Sequence, residues 1–480
     1  MFSEDSVSYQ PPHDCAYDSS GYGNTSPDAR YLELQQELYS MLLAEVHRPD
    51  DDQDAEPIHS SELVTNDAEI ADYPPCEPDF GRTSVPRVRM LRYLTHWITD
   101  SAPCLDQFDE AQHFGVQIPM LARQTPTLLY AILAFSARHW ERKNPGEVPR
   151  DSLELYQESI RLLGAELDAR SSNTVASVCI LACFELMSDS SLDWRRHLEG
   201  CAALLRLYEV HGFSGGLLQA VFWCYARMDM CGAVLNYGRE KTILPIDQWL
   251  APKMVATIPP AQRDVLIHGL FQKKCANNPD MYGNWAVYLC AKAIELSYHQ
   301  GNLRDVERSD REDALPLRRR WQQLWDNLQL WYSQRPDCMQ PVSCPSADEG
   351  GLFPQIIFVH RAAIYSNQSY HAACIIMLEL QWTNIDVLHP KSSLESVIWH
   401  ARRVWGISLT NPHRGNLVAA VQPLCLAARY FTHIEEHLAM ARLFKLIHET
   451  TGWGALPRIG ALESFWGYDT GELSSAIGIL

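Results

Sequence analysis

From Pro86 to the C-terminus, apolar residues recur three or four positions apart in run after run, and the strict alternation of a half-buried strand is scarce. A period near 3.6 gathers those residues on one face of an α-helix, whereas a strand needs a period of two. The chain is therefore expected to be all-α. Helices are predicted near 86–99, 126–142, 151–169, 173–187, 193–210, 217–236, 283–299, 313–334, 353–382, 392–409, 416–431 and 433–451. Pro and Gly mark many of the joints, among them Pro145-Gly146, Pro259-Pro260, Pro341, Pro345 and Pro412. No repeat of fixed length recurs, so a regular solenoid is not indicated. A large antiparallel array of helices, burying its faces pairwise, is the architecture that remains.

Charge divides the chain in two. Residues 1–85 carry 19 Asp/Glu against three Lys/Arg, and they account for most of the net charge of −19. An acidic segment repels phosphate, so it cannot be a nucleic-acid footprint. Its first thirty residues are rich in Ser, Gly, Tyr, Pro and Asp and are expected to be disordered. One short amphipathic helix is predicted near 31–47, where Leu34, Leu38, Met41 and Val46 fall at helical spacing beside Glu33, Glu37 and Glu45. Two readings fit it: a helix that docks on the body, or an acidic-hydrophobic activation segment that folds on a coactivator. The expected organisation is thus 1–85, an acidic and mostly disordered segment, and 86–480, one all-helical body.

The stretch 192–250 carries the most information. Trp194, Leu198, Cys201, Ala202, Leu205 and Tyr208 share one helical face; Gly212, Gly215 and Gly216 break the chain; a second apolar run follows from Leu217 to Leu235. Arg227 and Asp229 sit inside that second run. Burying either alone is costly, and two residues apart on a helix they point about 200° apart, so each must find a partner elsewhere. The pattern Trp194-x-x-His197-Leu198-x-Gly200-x-x-x-Leu204-Leu205, followed by Phe222-Trp223-x-x-x-Arg227-x-Asp229, resembles the middle homology region of fungal zinc-cluster transcription factors. Further segments match that region in order. They are LYAILAFSARH at 129–139, Tyr370-His371-Ala372-Ala373 with Ile375 to Leu378, and the closing HARRVWGIS, QPLCLAARYF and IHETTGWGALPRIGALESFW. The resemblance covers roughly 86–480. It implies an all-helical regulatory domain, nuclear and without catalysis.

One part of the family pattern is missing. Its DNA-reading module binds two zinc ions through six cysteines, including two Cys-x-x-Cys pairs. None of the 14 cysteines here forms such a pair. Either the chain belongs to a cluster-less branch or an upstream exon is absent from the gene model. The cysteines, including Cys179 and Cys183 one helical turn apart, read as small core hydrophobes. No metal ligand or cofactor is expected, and no secretory signal or membrane span.

Other motifs have bland readings. Gly212-Phe213-Ser214-Gly215-Gly216 matches a nucleophile elbow, but a helix is expected before it, not the strand that motif requires. Asp50-Asp51-Asp52-Gln53-Asp54 matches the magnesium motif of class I terpene cyclases, yet lies between Pro49 and Pro57 in the acidic linker. Arg308, Arg311 and Arg318 to Arg320 read as an import signal or an exposed helix face. His197, His360, His371 and His400 fall in helical runs and read as hydrogen-bonded helix residues.

The expected function is regulation of transcription in a fungus, with secondary metabolism one setting. The helical domain would bind a partner or a small-molecule effector. Trp194, His197, Trp223, Arg227 and Asp229 are the candidate contact residues. The expected partners are the transcription machinery or other zinc-cluster factors, as homo- or heterodimers, with DNA reached indirectly. The rivals are an all-α enzyme such as a terpene cyclase, and an inhibitory dimerisation partner of full-length factors.

Overall fold

The computed structural model describes residues 29–46, 78–146, 150–167, 170–187, 194–235, 240–251, 257–258, 260–305, 314–343, 351–380, 394 and 396–479. Within these, it does not describe the side chains of 29, 194–197, 235, 260–261, 301–305 and 314–316. Among the described residues the fold is all-α, without a strand. One isolated antiparallel bridge joins Ser343 to Ile357. No helix there is long and apolar enough to cross a membrane.

Among the described residues, the longer helices of the first half are α1 (Ala29–Val46), α2 (Arg87–His96), α3 (Pro126–Lys143), α4 (Asp151–Glu166), α5 (Ser172–Leu186) and α6 (Trp194–Leu207). Helix α1 lies on α6 and α4. Tyr31, Leu34, Leu38 and Leu42 bury its inner face, and Leu42 seats against Gly200, where an added Cβ would stand 2.7 Å from its Cδ1. Helices α2 and α4 are pinned at one carboxylate. Asp151, the first residue of α4, pairs with Arg89 at 2.7 Å and accepts from the Tyr93 hydroxyl at 2.8 Å. Its charge also suits the positive end of the α4 dipole. Helix α5 is buried on every side, from Ser172 to Glu185 with no exposed face. Such a helix shows no polar stripe because no side of it meets water.

The second half comprises α7 (Gly216–Leu235), α8 (Pro260–Cys275), α9 (Pro279–Asp305), α10 (Ala314–Ser333), α11 (Arg361–Glu379), α12 (Val397–Thr410), α13 (Arg414–Ala428), α14 (Ile434–Thr451) and α15 (Pro457–Trp466). Helix α11 is the axle. All residues from Ala362 to Leu378 are buried, against α9, α10, α12 and α13. Helix α7 packs on both α5 and α13 and so joins the halves. The two halves also meet where the end of α14 reaches α3. His139 Nε2 donates to the Thr451 carbonyl at 2.7 Å, and Arg142 Nε to that of Gly452 at 2.6 Å. Gly452 closes α14 at φ +69°, a conformation that favours glycine.

Several elements differ from the predicted set: the short helices Ala102–Leu105, Ile118–Ala122 and Glu472–Ala476 and the helix α15 were not in it, and two further differences bear on the site. Helix α8 was not expected, because Pro259-Pro260 reads as a break; proline fits the first turn of a helix, where its missing N–H is not needed. Helix α11 begins at Arg361, not near 353. Residues 354–358 instead form an extended strap over α12. Asn411 holds it, donating to the Ile356 carbonyl at 2.6 Å and accepting from Phe358 N at 2.9 Å. A Cβ on Gly406 would overlap the Pro354 carbonyl in this strap. Gly406→Ala is therefore expected to lower stability by about 1–3 kcal/mol, the usual cost of overpacking. A urea melt that leaves the midpoint unchanged would contradict the close approach.

Candidate functional site

The described candidate residues on α7 are built into the interior. Trp223 is 2% exposed. Its indole Nε1 donates to the Gly212 carbonyl at 2.8 Å. An added Cβ on Gly212 would fall 2.7 Å from the indole ring, so this glycine is needed for the close approach. Gly215 and Gly216 complete the turn at φ +83° and +50°. The Gly-x-Ser-x-Gly stretch is thus a helix-to-helix turn, and Ser214 Oγ accepts from His211 N at 2.9 Å.

Arg227 and Asp229 point away from each other and find different partners. Arg227 donates to the Leu105 carbonyl at 2.9 Å and lies 5.3 Å from the centre of the Phe108 ring. Asp229, 1% exposed, accepts from Ile243 N at 2.8 Å, Leu244 N at 2.9 Å and the Tyr225 hydroxyl at 3.2 Å. A carboxylate is well suited to two converging backbone N–H groups, since charge-assisted bonds are the stronger ones. Trp194 and His197 lie in the first turn of α6, but their side chains fall outside those described, as do residues 50–54 with the aspartate run and 306–313 with Arg308 and Arg311. Arg318, Arg319 and Arg320 are exposed on α10.

From Trp223 a chain of aromatic rings leads outward. Trp223 stands 5.9 Å from Trp249 and 6.3 Å from Phe271 between ring centres. Phe271 stacks on Trp285 at 5.8 Å, with the planes 6° apart. Trp285 meets Tyr282 at 5.6 Å. Tyr282 Oη donates to the Trp331 carbonyl at 2.6 Å, and Trp331 Nε1 returns a bond to the Tyr282 carbonyl at 3.1 Å. This reciprocal pair fastens α9 to the end of α10.

Tyr282 and Trp285 form the floor of an open cleft of about 630 Å³, a volume within the range of small-molecule sites. One wall is the α8–α9 turn, with Gln272, Cys275, Asn277 and Asn278; the other is Gln334, Pro336 and Cys338 beyond α10. Asn277 adopts φ +57°. Asn278 Oδ1 accepts from Met281 N at 2.9 Å and so caps α9. Burial pushes the Cys275 thiol up to about 12, which leaves it a poor nucleophile. The lining thus offers neutral amides around an aromatic floor. A neighbouring recess between α8, α9 and α10 holds only about 30 Å³, room for water alone. Sequence reasoning did not find this cleft. The Asn277-Asn278-Pro279 turn signal was present, but the helix before it was not expected.

Two histidines separated in sequence meet in the core. His371 and His400 approach at 2.8 Å between their Nδ1 atoms, and His400 Nε2 donates to the Leu394 carbonyl at 2.9 Å. With its proton on Nε2, a neutral His400 accepts at Nδ1, so His371 donates from Nδ1.

Comparison with known proteins agrees with this helical body. The transcription activator AMTR1 of Alternaria alternata is 24% identical over 337 residues, which cover 60% of this chain and 43% of that protein. The chain thus spans less than half the length of that relative. No solved structure matches it. The family model described as the fungal specific transcription factor domain matches residues 92–454, from within α2 to just past α14. Since that match takes in most of the 480 residues, the chain belongs to the fungal specific transcription factor domain family, whose role is the regulation of transcription.

Proposed function

We propose that this protein is a nuclear regulator of transcription in a fungus whose helical body, 86–480, gates an acidic N-terminal segment, 1–85. The observation that carries the gating is the position of α1. Its apolar face is the face a coactivator would need, and Leu34, Leu38 and Leu42, each at most 2% exposed, spend it on the body. Docking on the body and folding on a coactivator are then two exclusive states of one helix. An effector or partner that favours the undocked state turns the regulator on.

The cleft beside Tyr282 and Trp285 is the proposed effector site. Its amides and aromatic floor suit an uncharged, partly planar small molecule. Its lining holds no pairing of a nucleophile with a base, which supports a binding role over an enzymatic one. Trp223, Arg227 and Asp229, buried on α7, then act as the framework behind the site, and Trp194 and His197 on α6 stay proposed partner contacts. The 480 residues hold no Cys-x-x-Cys pair, so they reach DNA through a partner factor or through a segment outside them.

The test is reporter transcription and promoter occupancy in the native fungus. Gly200→Leu puts a side chain where Leu42 sits and should expel α1, raising transcription several-fold without the effector. Leu38→Asp should abolish it, since both states need that face. Occupancy with unchanged transcription in Gly200→Leu would refute the gate, and absence of promoter occupancy would refute the regulator itself.

A further inference from the structure

Four sulfur atoms from two helices converge inside the body. Cys179 and Cys183 lie one turn apart on α5, and Cys224 faces them from α7. Their Sγ atoms all lie within 4.8 Å of one another, and all three residues are buried. Met228, one turn along α7 from Cys224, brings its Sδ within 3.3 Å of Cys183 Sγ. Cys201 on α6 lies beside Cys179 as a further thiol. Among the described residues the trio meets one oxygen, the Val221 carbonyl, 3.9 Å from Cys179 Sγ, and neither a carboxylate nor an imidazole joins the group.

Three thiolates around a metal at about 2.3 Å stand roughly 4 Å apart in a trigonal plane. The trio is already near that spacing, so small χ1 rotations would complete it. The donor set is all sulfur, which selects soft ions over magnesium, calcium or manganese. A structural zinc site almost always takes four Cys, His or carboxylate ligands, and the group holds three. In an apolar interior excess charge is costly. A monovalent ion with one thiolate and two neutral thiols carries none. The thioether of Met228 is a further donor suited to the same ion.

We propose that Cys179, Cys183 and Cys224, with Met228 at their edge, form a binding site for a soft monovalent metal ion, the cuprous ion by its chemistry. Loading forms copper–sulfur bonds without change of oxidation state, and each thiol that becomes a thiolate releases its proton to solvent. The bound ion ties α5 to α7, the helix that joins the two halves.

The experiment uses the full, reduced 480-residue chain under anaerobic conditions. Cuprous ion is supplied as its acetonitrile complex in competition with bicinchoninate, and the loaded protein is examined by copper-edge X-ray absorption. One equivalent with a shell of three or four sulfurs is expected. The Cys179→Ala/Cys224→Ala variant should lose more than about 100-fold in affinity, beyond the cost of an outer-shell partner. Cys338→Ala, which removes an exposed thiol, should bind as the parent does. Failure to take copper from bicinchoninate, a shell dominated by nitrogen or oxygen, or loss of binding in Cys338→Ala would each overturn the proposal. The absorption spectrum of the unmodified protein decides the case even if the double variant fails to fold.

Discussion

Asp229→Ala is expected to cost about 3 kcal/mol or more of folding stability. The carboxylate accepts from Ile243 N, Leu244 N and the Tyr225 hydroxyl at 2.8 to 3.2 Å, out of contact with solvent. Truncation strands two backbone donors and a hydroxyl, and each buried unsatisfied group costs about 1–3 kcal/mol. The damage would spread to the aromatic core. Leu244 O accepts from Trp249 Nε1 at 3.2 Å, and Trp249 packs on Trp223. Asp229→Asn should lose less, because its amide oxygen keeps one acceptor while its NH₂ opposes a donor. Arg227→Met should lose only about 1–2 kcal/mol, since the hydrogen bond to Leu105 and the cation's contact with the Phe108 ring are removed and the stem is kept. Urea melts of the three variants read the order directly. Equal losses for Asp229→Ala and Arg227→Met would show that the loop does not depend on the carboxylate.

Acidification is expected to unfold the protein between about pH 6.5 and 4. Among the described residues burial lowers nine histidines, four of them furthest. Desolvation lowers His96 to about 4, His139 to about 3 and His400 to about 4, and takes His371 well below its ordinary value. Their neighbours act in the same frame. Asp100 raises His96 while Lys143 and Arg414 lower it, and Arg403 lowers both His371 and His400. The hydrogen bonds suit neutral rings: His139 donates from Nε2 to Thr451 O, and its Nδ1 faces Ser101 Oγ at 2.9 Å and His96 Nε2 at 3.2 Å.

The unfolded chain takes up protons near pH 6.5, and the folded chain does so only below about 4. Between those values the unfolded state binds more protons, so stability falls as pH falls, and it levels below the folded values. Each group contributes about 2 kcal/mol by pH 5. Four such losses approach the whole stability of a domain. The carboxyls of Asp106, Glu141 and Asp280, raised by burial, titrate in the opposite sense and offset part of this. A melting temperature that stays level from pH 6.5 to 5 would rule out this account.

Much of the architecture was legible in the sequence because helical periodicity is local. The runs that became α3, α7 and α13 announce themselves within a few turns. Helix α8 did not, since a proline pair that starts a helix looks the same as one that ends it. The strap at 354–358 reads as helix by composition; its extended form depends on Asn411, more than fifty residues away. The cleft was equally hidden, because its walls come from 272–285 and 334–338.

The sequence by itself determined that the chain is helical, that its acidity is concentrated before Pro86, and that Arg227 and Asp229 could not satisfy each other. Those conclusions need only a 3.6-residue period and the cost of burying charge. Tertiary structure alone decided the partners: Leu105 for Arg227, Ile243 and Leu244 for Asp229, His400 for His371, and Cys224 for the Cys179–Cys183 pair. A helical period says which side of a helix turns inward. It does not say which other helix will be waiting there, because that is settled by the packing of all the faces at once.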